Sequence, residues 1–327
     1  MPIPCYPDFT PLDFEMNDEL AAELFTSPDG ISEFTFAGLY LFRHRYGYQV
    51  CRTPSVEGGR GLPVFSGRQP EDSHGGSRVR GAERFFLSPL GVPDRDIVRD
   101  LFKSHRYWKN IGESTLPAAR EMLEAEGFVI AEDRDNFDYL YLRTDLAELP
   151  GKKYHKKRNL VNQFLSAYDH QEWPLTPDLV PLALEVLDSW REEKGEEGDY
   201  RSAREALERF GELGMEGALY FIDGKPAAWC LGEGLAGGTM FAVHFEKAIG
   251  AYKGVYQYMN QAFAAMLPPR YVHINREQDL GDPGLRQAKE TYRPRGFVKK
   301  YAAAAVDKAD WGTGNDLLPP SAEYVVE

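Results

Sequence analysis

YVHINREQDLGDPGLRQAKETYRPRGFVKKY, residues 271–301, holds a strand, a polar elbow, a short helix and a second strand in one run. Tyr271-Val272-His273-Ile274-Asn275 has the apolar pattern of a strand entering a core. Polarity rises abruptly at Arg276-Glu277-Gln278-Asp279, where that strand meets a turn. Asp282-Pro283-Gly284 then supplies an N-cap acid with proline at the first helical position, which predicts a helix start. Leu285, Ala288 and Lys289 continue that helix, Pro294 ends it, and Phe297-Val298-Lys299-Lys300-Tyr301-Ala302 predicts a further strand. Open α/β sheets bind ligands at the carboxyl ends of their strands, so the elbow is the first candidate site. A solvated turn with incidental charges is the competing reading.

The preceding segments extend the same alternation. Gly217-Ala218-Leu219-Tyr220-Phe221-Ile222 and Pro226-Ala227-Ala228-Trp229-Cys230-Leu231 flank Asp223-Gly224, a strong hairpin signal. Residues 232–237 match G-x-G-x-x-G, but the strand-like Thr239-Met240-Phe241-Ala242-Val243-His244-Phe245 follows where a dinucleotide site needs a helix. The glycines are therefore expected in a hairpin loop. That strand ends at Glu246-Lys247. Gly250-Ala251-Tyr252-Lys253-Gly254 leads into a helix lined by Val255, Met259, Ala262, Phe263 and Met266, and a glycine turn at a helix start is a phosphate-binding candidate.

Upstream, Lys152-Lys153-Tyr154-His155-Lys156-Lys157-Arg158 carries five fixed positive charges without an acid, at the start of a predicted helix. The helix dipole disfavours cations there, which suggests an anion as the intended neighbour; a solvated charge run is the alternative. Leu149-Pro150-Gly151 makes a seam, dividing the chain into expected domains 1–150 and 151–327. In the first, helices interleave with strands, and residues 56–81, rich in Gly, Arg and Ser, are expected to form a long hairpin loop or insertion.

The whole composition is that of a folded protein, with 43% hydrophobic and 27% charged residues. Fifty-one acids against 38 Lys and Arg leave a net charge of −13, which excludes a protein that coats nucleic acid with its entire surface. Cys5, Cys51 and Cys230 are too few and too scattered for a disulfide framework or a zinc cluster, and no His, Cys and carboxylate spacing marks another metal. With neither a signal-peptide pattern nor an apolar run of the roughly 18 residues that spans a bilayer, a soluble cytoplasmic chain without an integral membrane segment is expected.

YHKKRNLVNQF, HFEKAIGAYKGVYQYMNQ and INREQDLGDPGLRQAKETYRP together resemble soluble bacterial relatives of the phosphatidylglycerol lysyltransferase C-terminal domain. The likeness spans nearly the whole chain and is specific in the second half. It implies an α/β (α+β) protein of two tandem acyltransferase-like domains of the Gcn5-related N-acetyltransferase type. Each would be a mixed, mostly antiparallel sheet flanked by helices. In that fold the turn before the helix at Gly254 usually binds the pyrophosphate of coenzyme A. The corresponding run is Ala251-Tyr252-Lys253-Gly254-Val255-Tyr256, which keeps one glycine and lacks the usual leading Gln/Arg and final small residue; Gly250, Tyr252, Lys253 and Gly254 are the binding candidates there. The membrane lysyltransferases take their amino acid from aminoacyl-tRNA, so a tRNA acceptor end is the other implied donor. Neither donor would be a tightly bound cofactor.

The fold implied by the resemblance makes the strands ending at Glu246 and before Glu277 neighbours that splay apart. Acyl transfer needs a held donor, a base for the acceptor and a group to protonate what leaves. Glu246, Glu277 and Asp279 are the candidate bases, and Tyr292 the candidate acid. Lys152, Lys153, Lys156, Lys157 and Arg158, with Arg286, Lys289, Arg293 and Arg295, are expected to line one cleft for a phosphate-bearing donor, and Asn275 is a further binding candidate. The net acidity favours a small donor over a whole tRNA. Structural alternatives stand beside each role: Glu246 pairs with Lys247 or Arg286, Asp279 caps the helix or turn, and Asn275 holds the elbow. His244 and His273 read as core histidines. With no nucleophile elbow, direct attack by an amine or hydroxyl acceptor is favoured over a covalent intermediate. The alternative function is a non-catalytic sensor of a phosphate-bearing or acylated metabolite.

Overall fold

A computed structural model describes residues 2–55, 59–70, 83–195 and 197–305. In chain order the first half gives β1 (Thr10–Pro11), α1 (Asn17–Phe25), α2 (Phe36–Leu41), α3 (Arg43–Tyr46), β2 (Gln49–Arg52), β3 (Pro63–Arg68) and β4 (Arg84–Leu87). It continues with α4 (Arg95–Ser104), β5 (Tyr107–Ile111), α5 (Leu116–Glu124), β6 (Phe128–Glu132), β7 (Asp138–Leu142) and α6 (Arg143–Glu148). The second half gives α7 (His155–Ala167), β8 (His170–Pro174), α8 (Val180–Lys194), α9 (Tyr200–Arg209), β9 (Glu216–Ile222), β10 (Lys225–Leu235) and β11 (Met240–Ala248). It ends with α10 (Val255–Met266), β12 (His273–Asn275), α11 (Pro283–Glu290), β13 (Gly296–Val298) and β14 (Tyr301–Ala305).

These strands make two seven-stranded mixed sheets of the same plan, ordered β1-β2-β3-β4-β5-β14-β6 and β8-β9-β10-β11-β12-β7-β13. In each, the fourth and fifth strands run parallel and the other neighbours antiparallel. The sixth strand is exchanged: β7 leaves the first half for the second sheet, and β14 returns to the first. The seam at Leu149-Pro150-Gly151 therefore does not separate the two sheets. Nor do residues 297–302 form the single strand expected of them. The chain breaks at Lys299-Lys300 because β13 pairs with β7 while β14 lies between β5 and β6.

One ion pair fastens both exchanged strands. Lys300, just before β14, donates to Asp138 Oδ1, at the head of β7, at 2.6 Å, and also bonds Glu33; Lys300 and Asp138 are wholly buried. Ser32 completes the shell of Asp138 through its N–H at 2.9 Å and hydroxyl at 3.0 Å. A buried charge left unpaired is costly, so this contact fixes where the chain crosses.

Apolar packing lies in three layers. Phe65, Phe85 and Tyr107 of the first sheet share a core with Leu219, Trp229 and Phe245 of the second and with α2, α8 and α9. The outer face of the second sheet packs on α6, α7 and α10, and that of the first on α4 and α5. The Asp223-Gly224 turn has positive φ at both residues (51° and 76°), as a type I′ hairpin requires. Contrary to the expected loop, Gly232 and Gly234 lie within β10, where a Cβ on Gly232 would meet the Ala242 carbonyl oxygen at 1.9 Å. Part of the expected insertion, Pro63–Arg68, is β3; residues 56–58 and 71–82 lie outside the described residues.

Candidate functional site

β11 and β12 pair only over Met240–Ala242 and His273–Asn275, after which β11 runs on to Ala248 while the chain beyond β12 turns away. Opposite this split, β10 pairs Leu231 with Phe245 and Gly232 with Val243, so His244 is the extra residue of a bulge. The bulge reverses which face the later residues address. Phe241 and Val243 pack toward α10, whereas Phe245 packs into the central core.

The elbow after β12 is held from several sides. Asn275 accepts the Glu277 N–H at 2.8 Å and donates to Asp138 at 3.0 Å and to the Gly30 carbonyl at 2.9 Å. The alternative reading of Asn275, as the residue that holds the elbow, describes its geometry. Lys289 donates to three successive carbonyls, Arg276 at 2.5 Å, Glu277 at 3.0 Å and Gln278 at 2.7 Å, and burial lowers its pKa to about 8. Asp279, fully buried, accepts from Arg286 at 2.8 and 2.9 Å, Tyr139 at 2.6 Å and the Gly281 N–H at 2.9 Å. Burial alone raises a carboxyl pKa, but these donors outweigh it and bring Asp279 down to about 2. Arg286 also pairs with Asp135 at 2.7 Å. Asp279, Arg286 and Lys289 are thus committed inside the elbow, contrary to an open base and two phosphate ligands. Asp282 caps α11 by accepting the Leu285 N–H, as its sequence predicts.

Glu246 and Glu277 do not share partners. Glu246 accepts from Arg276 Nη2 at 2.5 Å and from Asn260 Nδ2 at 2.7 Å, and pairs with neither Lys247 nor Arg286. Glu277 bonds His244 Nδ1 at 2.7 Å, and Glu233 bonds His244 Nε2 at 3.0 Å. Burial by itself would lower the imidazolium pKa, yet the two carboxylates raise it to about 10. His244 is therefore a charged pin between two acids, satisfied by hydrogen bonds as a core histidine must be. His273 is half-buried, its pKa lowered by burial and by Arg295.

On the Glu246 side the basic stretch meets the elbow. Lys157 Nζ lies 3.9 Å from the centre of the Tyr292 ring, and the Arg276 guanidinium 5.2 Å from it. Burial and then Arg276 lower the Lys157 pKa to about 8, while burial, opposed by Arg276, raises Tyr292 to about 12. Tyr292 is buried and packs edge-on against Tyr141. The expected cationic cleft is only partly assembled, because four of its nine cations, Lys153, Arg158, Arg286 and Lys289, bind the protein itself. Lys153 pairs with Asp145 at 3.0 Å, and Arg158 donates to the Leu149 and Gly151 carbonyls. Lys152 and Lys156 are exposed. In the glycine turn, Gly250 donates its N–H to Glu193 at 2.8 Å, Tyr252 packs edge-on against Tyr168, and Lys253 is exposed. Gly254, at φ 88°, is the N-cap residue of α10.

Arg276, Asn260, Glu233 and Glu193 escaped the sequence reading. Arg276 stood in the quoted elbow, and only its contact with Glu246 distinguishes it from a solvated cation. Among the described residues no group of His, Cys, Asp and Glu could hold a metal ion, and no helix is long and apolar enough to cross a membrane.

The family described as phosphatidylglycerol lysyltransferase, C-terminal, matches residues 26–304. The chain belongs to that family. A conserved protein of unknown function from Bacteroides thetaiotaomicron has a similar solved structure, 29% identical, with a TM-score of 0.77 over 91% of this chain and 99% of that one. The C-terminal domain of a putative lysylphosphatidylglycerol synthetase from Agrobacterium fabrum shares the fold at 15% identity, with a TM-score of 0.57 over 90% and 92%. An uncharacterized protein of Mycoplasmoides gallisepticum is 24% identical over 186 residues, 54% of this chain. This match spans 58% of that relative's length. This member of the family is thus an α/β protein of two mixed sheets of the same plan, each flanked by helices.

Proposed function

We propose that this chain transfers an activated acyl or aminoacyl group to an amine or hydroxyl acceptor at the β11–β12 split. Family membership supports acyl or aminoacyl transfer in general terms. The observation that carries the finer reading is the cluster of Glu246, Arg276, Tyr292 and Lys157 beside the split. A carboxylate, a phenol and two cations are the groups that direct acyl transfer requires.

In this reading the acceptor attacks the donor carbonyl and gives its proton to Glu246, directly or through a water. Both Glu246 oxygens already accept one bond, and each keeps a further lone pair. As the bond to the leaving thiolate or ribose oxygen breaks, that atom takes the Tyr292 proton. Lys157 and Arg276 steady the phenolate, and the proton on Glu246 returns to it through solvent. Glu277 and Asp279 act by positioning, since His244 and Arg286 engage them.

The donor is a phosphate-bearing co-substrate, an acyl-coenzyme A or an aminoacyl-tRNA acceptor end, whose phosphate is drawn to Lys152, just before α7, and to Lys156 and Lys157 in its first turn. No tightly bound cofactor is needed. The test supplies labelled acyl-coenzyme A and aminoacyl-tRNA with amine and hydroxyl acceptors, and follows product with the natural chain, Glu246→Gln and Tyr292→Phe. Product from the natural chain that falls at least tenfold in both variants is expected. A donor that raises the melting temperature and is never consumed would instead identify a sensor.

A further inference from the structure

The turn between β11 and α10 is closed from two sides. On one, Gly250 donates its N–H to Glu193 Oε2 at 2.8 Å, so a carboxylate from the last turn of α8 sits on the turn. A Cβ on Gly250 would meet that same oxygen at 3.0 Å. On the other, Gly254 abuts α7. A Cβ there would lie 2.7 Å from the Leu160 carbonyl oxygen and 3.3 Å from Phe164 Cβ.

A glycine turn opening a helix ordinarily attracts phosphate, because its N–H groups and the helix dipole favour negative charge. In this chain an acid already takes that role, and a carbonyl oxygen borders the opposite edge. A pyrophosphate arriving here would have to displace Glu193 from its hydrogen bond while being repelled by its charge. Lys253 is the one basic residue between Gly250 and Gly254.

We infer that Glu193 is a specificity-determining residue that excludes pyrophosphate-bearing ligands from the Gly250–Gly254 turn. Combined with the transfer reading above, on which this second step rests, the donor's phosphate is left to the cations of α7. The exclusion is a statement about binding and holds whether or not the chain turns over.

The test is calorimetric titration of the full chain with coenzyme A and, separately, inorganic pyrophosphate at low salt. The natural protein is compared with Glu193→Gln, which removes the charge but keeps an acceptor for Gly250, and with Glu193→Ala. Thermal melts establish that all three are folded. Binding of both probes is expected to tighten about threefold in the glutamine variant and about tenfold in the alanine variant, the scale of one lost charged hydrogen bond. Equal affinity in all three proteins, including no binding by any, overturns the inference. Failure of the transfer reading has a separate signature, absence of product in the assay of the preceding subsection.

Discussion

Lys157 Nζ stands over the Tyr292 ring at 3.9 Å, and this contact joins the basic stretch at the start of α7 to the end of the elbow helix. It gathers an ammonium, a phenol and, through Arg276, the Glu246 carboxylate on one side of the split. It brings the two stretches singled out by the sequence to a single ring.

Removing the Tyr292 hydroxyl tests the acid role directly. Tyr292→Phe keeps the ring under Lys157 and is expected to leave the melting temperature within a degree or two while slowing transfer about a hundredfold, as loss of a general acid does. Single-turnover rates with donor in excess measure it. A rate unchanged from the natural chain would remove Tyr292 from the chemistry.

Donor binding should depend on pH through Lys157. Its pKa is lowered to about 8, so the ammonium discharges as pH rises through that value and attraction to phosphate falls. The dissociation constant of a phosphate-bearing donor is expected to rise several-fold from pH 7 to 9 in the natural chain. In Lys157→Arg it should stay flat, since the guanidinium remains charged. Parallel curves for the two proteins would contradict this.

His244 ties stability to pH in a fixed direction. Its pKa is raised from 6.5 to about 10, so the folded state holds the proton more tightly than the unfolded chain. The stabilisation is complete below pH 6.5 and is lost as pH rises through 10. The melting temperature of the natural chain should therefore exceed that of His244→Gln most at pH 6, with the gap closing toward pH 10. A gap that widens with pH would show that the imidazole is held neutral.

Lys300→Met should destabilise far more than a surface lysine would. It leaves the fully buried Asp138 without its cation, and breaking a buried pair in this way costs about 3–5 kcal/mol. Urea unfolding of the variant is expected to show a lower midpoint. A change below about 1 kcal/mol would mean that Ser32 and Asn275 alone satisfy Asp138.

Local signals in the sequence translated well. Asp282-Pro283 capped α11, Asp223-Gly224 turned a hairpin, and the change of polarity after Asn275 marked the elbow. Each is decided by dihedral preference and hydrogen bonding within a few residues. Sheet membership is decided by distant partners instead, so β7 joins the second sheet although it lies in the expected first domain, and residues 297–302 divide into two strands rather than one. The site divided in the same way. Glu246 and Tyr292 could be named from their positions near strand and helix ends. The commitment of Asp279 to Arg286, and of Glu277 to His244, depends on which strands became neighbours. Glu193 gave no signal, because an acid in the last turn of an amphipathic helix looks like ordinary solvated charge.

The exchange of β7 and β14 has a consequence for synthesis. As the polypeptide leaves the ribosome, the first sheet has an empty berth between β5 and β6 until residues 301–305 emerge, almost three hundred residues after β1. A nascent first half must wait with that edge open, and a chain halted between the two halves would lack one strand while carrying another it cannot use. Fragments expressed on either side of residue 150 should accordingly be recovered together or hardly at all.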